Sequence, residues 1–437
     1  MYTLFNEVKI LDFLSPGKRI KALRKQLNIK QVELEAIGVS RNYISMVESD
    51  KRNLSGETLE KFLNFIENRA DEFEVKVNLD TNYLLLPEKE EARNYCNEKL
   101  KSILNHECLD ELIEIGEKYS LTDILLDVYL LKANLLYNEC YYNNAFIYYY
   151  KILEIYIDKN DDKNKAFIYT KLSGCKIKTL SYEEALTYSF KSYFYCNEFK
   201  DKINLMNCMF NICIIYKKLG EYDNALIYID KLLNIINPKD YINRYIDAII
   251  VKCNCYASKG EFKTSIDIYN STLNNFSNIP GIPLGFIYNN LGDAYSNLGE
   301  LEYALLYFDK AISTRTIFDK STLSHSLIDK SQVLIKQKYF DNSISLIQEG
   351  LALSKKYSDN EYILKGYNLL EDIYIELNNK VKLEETYLLL VEFLKDMDSI
   401  KLLGIYIKLS ILYMKCNNID KYKEFLYKAQ ELHSSLK

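Results

Sequence analysis

The apolar positions of this chain fall largely at helical spacing, and from Tyr142 to Ile347 they return in register. A small residue recurs at Ala145, Ala185, Ala225, Ser265, Ala304 and Ser343, in steps of 40, 40, 40, 39 and 39 residues. Three positions before each stands a ring or a large apolar group: Tyr142, Tyr182, Tyr222, Phe262, Leu301 and Phe340. Four positions after stand Tyr149, Ser189, Ile229, Tyr269, Phe308 and Ile347. A pattern at fixed period means one supersecondary unit stacked many times. No unit can bury its apolar face alone, so the neighbours must, and an α-solenoid with a long inner surface is predicted. Copies start near Val128, Ile168, Met209, Ala248, Ile287 and Leu327, with weaker ones near Gly366 and Ile405. Residues 90–120 read as a further, degenerate helical pair.

A different pattern precedes the repeats. Pro16-Gly17 opens a helix with Ile20, Leu23 and Leu27 on one face, closed by Asn28. A second short helix begins near Lys30-Gln31, carries Val32, Leu34 and Ile37, and ends at Gly38. Ser40 stands where an N-cap belongs, and Arg41 to Glu48 continue as a third helix. Two short helices joined by a tight glycine turn, the second rich in small polar and basic groups, meet the needs of a helix-turn-helix. Ile20, Leu23, Leu34, Ile44, Val47 and Leu59 are its expected core.

Composition narrows the class. Hydrophobic residues make up 48% and charged residues 27% of 437, a folded composition, and five prolines with fourteen glycines favour an all-α chain. No run of about 18 uncharged apolar residues offers a membrane span, and the region after Met1 does not read as a signal peptide. The ten cysteines form no Cys-x-x-Cys pair and His106, His325 and His433 lie far apart, so no metal site is expected. Buried, reduced thiols in a cytoplasmic protein fit better. The net charge of −5 hides an asymmetry. Between Pro16 and Gly56 nine basic residues face four acidic ones, giving +5 there and −10 elsewhere. A basic head on an acidic body points to a polyanion at the head only.

The run Ile20-Lys21-Ala22-Leu23-Arg24, Lys30-Gln31-Val32-Glu33-Leu34, Gly38-Val39-Ser40-Arg41-Asn42-Tyr43-Ile44-Ser45-Met46-Val47-Glu48 and Lys51-Arg52-Asn53 resembles the lambda-repressor-type helix-turn-helix of bacterial regulators. It departs in one respect: Leu34 to Gly38 is one residue shorter than the usual pattern. The resemblance implies that Lys18, Arg19, Gln31, Lys51 and Arg52 hold phosphates. It likewise implies that Ser40, Arg41, Asn42 and Ser45 read base edges, Arg being suited to guanine and Asn to adenine.

Within the repeats, Asn289-Asn290-Leu291-Gly292-Asp293-Ala294-Tyr295, then Leu298-Gly299-Glu300 and Ala304, resemble the tetratricopeptide repeat. So does Asn211-Ile212-Cys213 with Leu219-Gly220-Glu221-Tyr222 and Ala225. The chain has no Trp, and its period exceeds the roughly 34 residues of that family. Asn211 and Asn290 share one slot, fourteen residues before Ala225 and Ala304. In the resembled family that slot faces the concave groove, where an Asn amide can both donate to and accept from a peptide backbone.

Head and repeats together resemble the RRNPP group, peptide-responsive transcription regulators of Gram-positive bacteria. The boundaries read as a helix-turn-helix domain over 1–68 (core 16–67), a linker over 69–89 and a tetratricopeptide solenoid over 90–437. The implied partners are double-stranded DNA with a two-fold site, a short linear peptide in the groove, and a second copy of the chain. A protein partner gripped by the repeats, without a peptide, is the alternative. No His-carboxylate cluster, phosphate loop or Gly-x-Ser-x-Gly is present, so the reading is non-enzymatic, with no cofactor. Some members of the resembled group nevertheless remove phosphoryl groups from partner proteins.

Overall fold

Every ring or large apolar residue that leads the repeat turns out to be the first residue of a helix. A computed structural model describes residues 13–73, 80–102, 105–395 and 397–436. The segment after Met1 and residues 74–79 of the expected linker lie outside the described residues. Among those described there is no strand, and no helix is long and apolar enough to cross a membrane. The chain forms two compact units, Met1–Cys208 and Met209–Lys437.

The first unit opens with α1 (Pro16–Gln26), a 3₁₀ helix (Gln31–Ile37), α2 (Arg41–Glu48) and α3 (Gly56–Glu72). The 3₁₀ winding fits the missing residue, because a tighter helix rises further per residue and spans a similar distance with fewer of them. Gly38 ends it in the left-handed region, at φ +79°. Ile20, Leu23, Leu34, Ile44, Val47 and Leu59 are all buried as expected, with Phe62 and Ile66 beside them, whereas Val32 is exposed. At Gly17 a Cβ would lie 2.1 Å from the Val47 carbonyl oxygen, so only glycine lets α1 start this close to the end of α2. The short α4 (Thr81–Leu85) lies in the expected linker, yet Leu84 belongs to the head's core. That stretch is a packed part of the head and more than a spacer.

Helical pairs follow: α5 (Glu88–Leu100) with α6 (His106–Lys118), α7 (Thr122–Asn138) with α8 (Tyr142–Asp158), and α9 (Asp162–Lys178) with α10 (Tyr182–Glu198). Helix α11 (Lys202–Lys218) comes next. The second unit holds α12 (Tyr222–Ile235), α13 (Ile242–Ser258), α14 (Phe262–Asn275), α15 (Gly281–Leu298) and α16 (Leu301–Phe318). It continues with α17 (Leu323–Lys336), α18 (Phe340–Lys356), α19 (Asn360–Glu376), α20 (Lys380–Leu394), α21 (Ser399–Lys415) and α22 (Ile419–Ser435).

The small residues do what the spacing asked. Ala145, Ala185, Ala225, Ser265, Ala304 and Ser343 are all buried, and Tyr149, Ser189, Ile229, Tyr269, Phe308 and Ile347 are buried one turn later. Close approach is visible at Gly292 of α15, where a Cβ would meet the Phe308 ring of α16 at 2.9 Å. From α7 and α8 onward, the turn inside each pair carries one residue at positive φ: Cys140, Leu180, Gly220, Gly260, Gly299, Lys338, Asn378 and Asn417. Only three are glycine, so five turns hold a side chain in a conformation that L-residues disfavour.

Candidate functional site

Ser40 begins α2 by accepting the Tyr43 N–H on its hydroxyl at 3.2 Å. The helix then buries Ile44 and Val47 and leaves Arg41, Asn42 and Ser45 exposed. Lys51 and Arg52 follow in an exposed turn after Asp50, and Lys18 is exposed on α1. Seven of the nine residues expected to meet DNA therefore present polar or charged groups at the surface of the head. Two are engaged elsewhere. Gln31 is half-buried and its amide donates to Glu48 Oε2 at 2.9 Å. Arg19 is wholly buried: its guanidinium donates to the carbonyls of Tyr83 and Leu86, pairs with Glu91 at 2.5 Å and lies over the Tyr83 ring. In this arrangement Arg19 has no path to a phosphate, and it joins α1 to α4 and α5.

The head holds a pair that sequence reading did not single out. Arg24 Nε donates to Glu48 Oε1 at 2.5 Å and Nη2 to Oε2 at 3.1 Å, both side chains being buried. Nη1 also donates to the Ile29 carbonyl at 2.5 Å. A fork-to-fork contact of this kind fixes angle as well as distance, so α2 is held at a set pitch to α1.

In the repeats, side chains of the first helices of successive pairs bond to one another. Asn290 on α15 donates to Asn254 Oδ1 on α13 at 3.0 Å and to the Tyr269 hydroxyl at 2.8 Å. The same rung recurs with other residues. Tyr149 and Lys171 both reach Asn134 Oδ1, and Tyr387 and Lys408 both reach Glu371. Each rung takes an acceptor from one first helix, a tyrosine from its partner helix and a donor from the next first helix. Asn290 thus commits its amide donors to the fold. Asn211 is half-buried on α11 in the same slot.

The slot also predicts a residue that the asparagine reading passed over, since Asp329 stands fourteen positions before Ser343. Asp329 is buried and accepts from Lys365 at 2.6 Å, Asn289 at 2.9 Å and Tyr362 at 3.2 Å. Arg315, also buried, donates to Asn289 Oδ1, Ser326 Oγ and the Thr322 carbonyl. Asp293 lies alongside, still partly exposed. Burial, then the Asp329 charge, hold its carboxyl well above the ordinary range against Lys365, Arg315 and Lys336. The neutral acid is thus favoured at Asp293. Two clefts lie apart from these residues. One, in the first unit, is bounded by Tyr169, Phe190, Lys191 and Tyr195; the other, in the second, by Leu351, Lys355, Tyr367 and Tyr374. No group of His, Cys, Asp and Glu among the described residues could hold a metal ion.

Comparison with known families matches residues 20–73 to a helix-turn-helix model and residues 208–238 and 287–315 to a tetratricopeptide-repeat model. The chain thus carries a helix-turn-helix head followed by tetratricopeptide-type helical repeats. Response regulator aspartate phosphatase A of Bacillus subtilis (strain 168) is 35% identical over 85 residues, 20% of this chain and 22% of that one. The matched stretch spans about a fifth of that relative's length. Among solved structures, the apo form of the quorum sensor NprR from B. thuringiensis is similar at a TM-score of 0.50 and 15% identity, over 79% of this chain and 99% of NprR. A signal-transduction ATPase with a tetratricopeptide-repeat sensor, PH0952 from Pyrococcus horikoshii, has the same score at 13% identity, over 95% of this chain and 72% of that one. The apo form of RapI scores 0.46 at 16% identity, over 62% of this chain and 98% of RapI. At 15% and 13% identity the likeness to NprR and PH0952 is one of fold.

Proposed function

We propose that the chain is a DNA-binding transcription regulator controlled by a short peptide bound along the polar face of its repeats. The observation that carries the reading is the union, in one chain, of exposed Ser40, Arg41, Asn42 and Ser45 on α2 with repeats whose first helices carry rungs of amide and charged side chains. An extended peptide cannot pair its own N–H and C=O groups, and a face of fixed amides supplies partners for them. Asn290 Oδ1 and the Asn211 amide are assigned to that backbone. NprR, a quorum sensor, gives a precedent for the architecture. A helix-turn-helix acts where DNA is, so the working place is the cytoplasm. One head contacts few bases, and the active form is a homodimer on a two-fold site.

The test is a gel-shift titration of the full chain on the promoters flanking its gene, with and without synthetic peptides from any small neighbouring reading frame. Peptide is expected to change promoter affinity, and calorimetry to show peptide binding that weakens when Asn211 is replaced by Ala. A chain that binds no promoter in either state would sink the reading.

A second reading is favoured by the stretch 35% identical to a response regulator aspartate phosphatase. Here the repeats grip a partner protein and no peptide is needed. Capture of a purified response regulator by the repeats, together with indifference to every peptide tried, would select it.

A further inference from the structure

Two cysteines of the first unit meet side chain to side chain. Cys196 stands in the last turn of α10 and Cys208 in the second turn of α11, and both are wholly buried free thiols. The Cys208 thiol is a hydrogen-bond partner of the Cys196 sulfur, and its S–H also reaches the Leu205 carbonyl at 3.2 Å. On the other side of Cys196, Ser192 Oγ lies 3.7 Å from its Sγ. That hydroxyl is fixed in turn by the Ala166 carbonyl and the Thr170 hydroxyl, each at 2.7 Å.

Packing alone does not ask for such an arrangement. Burial strips a thiolate of water, so a buried cysteine is normally inert. The thiols of Cys96, Cys175, Cys213, Cys253 and Cys255 follow that rule and are all pushed up by burial. A nearby sulfur is not enough to change this, since Cys255 only adds to the rise at Cys213. Cys196, just as buried, is held below the ordinary thiol value. Its Cys208 partner is the main cause and Ser192 assists, outweighing burial and the Asp201 charge. Cys196 thus has what an oxidisable cysteine needs: stabilisation of its thiolate and a second thiol against its sulfur.

We propose that Cys196 and Cys208 are an oxidation site, at which hydrogen peroxide joins the two sulfurs as a disulfide bridging α10 and α11. The Cys196 thiolate attacks one peroxide oxygen. The O–O bond breaks, hydroxide leaves and takes up the proton that Cys196 gave up, and a sulfenic acid and one water result. The Cys208 sulfur then attacks the Cys196 sulfur. The S–S bond forms, the S–O bond breaks, and the departing hydroxide leaves as a second water with the Cys208 proton. The two thiols lose two electrons and two protons in all, and the peroxide is reduced to two waters.

A small uncharged oxidant reaches the buried pair through local opening of the turn between α10 and α11. Lys200 holds that turn at φ +56°, a conformation that L-residues disfavour, which lowers the cost of opening it. Once formed, the bridge fixes the packing of α10 on α11 covalently until a thiol reductant cleaves it.

The experiment uses the full chain with the exposed Cys140 and Cys416 replaced by Ser, because exposed thiols meet the oxidant first. The folded, reduced protein is treated with equimolar hydrogen peroxide and its intact mass is read. A product lacking two hydrogen atoms is expected, with a cross-linked Cys196–Cys208 peptide on proteolytic mapping and full reversal by dithiothreitol. With Cys208→Ser the reaction should stop at the sulfenic acid, which dimedone should capture on Cys196. Ser192→Ala should slow disulfide formation while the circular dichroism spectrum stays that of the parent. A chain in which Cys196 and Cys208 remain thiols while other cysteines are oxidised would overturn the proposal. So would a cross-link confined to another pair, such as Cys213 with Cys255. The mapping needs no change at either cysteine of the pair, so it decides the matter even where a substitution harms folding. Neither promoter nor peptide enters these measurements, so failure here leaves the functional reading standing.

Discussion

Arg19 and Glu91, 72 residues apart, form an ion pair at 2.5 Å that joins α1 of the head to α5 of the first repeat pair. The Arg19 end is wholly buried, and the same guanidinium also holds the Tyr83 and Leu86 carbonyls. A charge so enclosed is a fastening between elements, and its removal strands Glu91 and two carbonyl oxygens. Arg19→Ala is expected to lower thermal stability and expose the junction to protease. At a saturating fraction of folded protein, the salt dependence of its DNA binding should equal wild type. Lys51→Ala should leave stability unchanged and reduce the slope of log affinity against log salt by about 1. Equal slopes for both variants would return Arg19 to the phosphate contacts.

Arg24 and Glu48 should behave as one unit. Breaking a buried pair from one side leaves an uncompensated charge, so Arg24→Ala should cost about 3–5 kcal/mol. Replacing both partners with apolar residues of similar size should cost much less. Denaturant unfolding of the two variants checks this, and a mild effect of Arg24→Ala would mean that Glu48 finds another partner.

On α2, Arg41→Ala and Asn42→Ala should each cost about 1–3 kcal/mol on a specific promoter and little on random DNA. Both side chains are exposed, so unfolding curves should match wild type. Variants that bind both DNAs like wild type would place recognition elsewhere.

Asn290→Ala should affect the fold as well as any ligand. The change removes a donor from the buried Tyr269 hydroxyl and leaves Asn254 Oδ1 unpaired, at about 1–3 kcal/mol. Peptide affinity must therefore be compared at temperatures where the variant is fully folded. A variant as stable as wild type would show that the rung contributes nothing.

Asp293 predicts a pH dependence. Its folded-state pKa is raised, so the fold holds a proton that the unfolded chain has released. Stability from this group therefore falls as pH rises from the unfolded value near 4 up to the folded one. Asp293→Asn should raise the unfolding temperature more at pH 8 than at pH 4, as read by calorimetry at each pH. An equal shift at both would mean the carboxyl titrates normally.

Much of this could be read from residue order alone, because the repeat is a local code. The small residue, the ring three before it and the buried group four after lie on one helix, so their periodicity states their packing directly. The helix-turn-helix is legible for the same reason: Ser40, Gly38 and the apolar positions of α1 and α2 act within a few residues of one another. What lay hidden joins residues far apart in sequence. No spacing ties Arg19 to Glu91 or Arg24 to Glu48. An exposed and a buried arginine look alike in a basic segment, and only the position of α4 and α5 around Arg19 settles which it is. The charge state favoured at Asp293 depends on every helix packed nearby. Local chemistry thus determined the elements and their faces, while desolvation and pairing across distant elements decided which polar groups remain available for function.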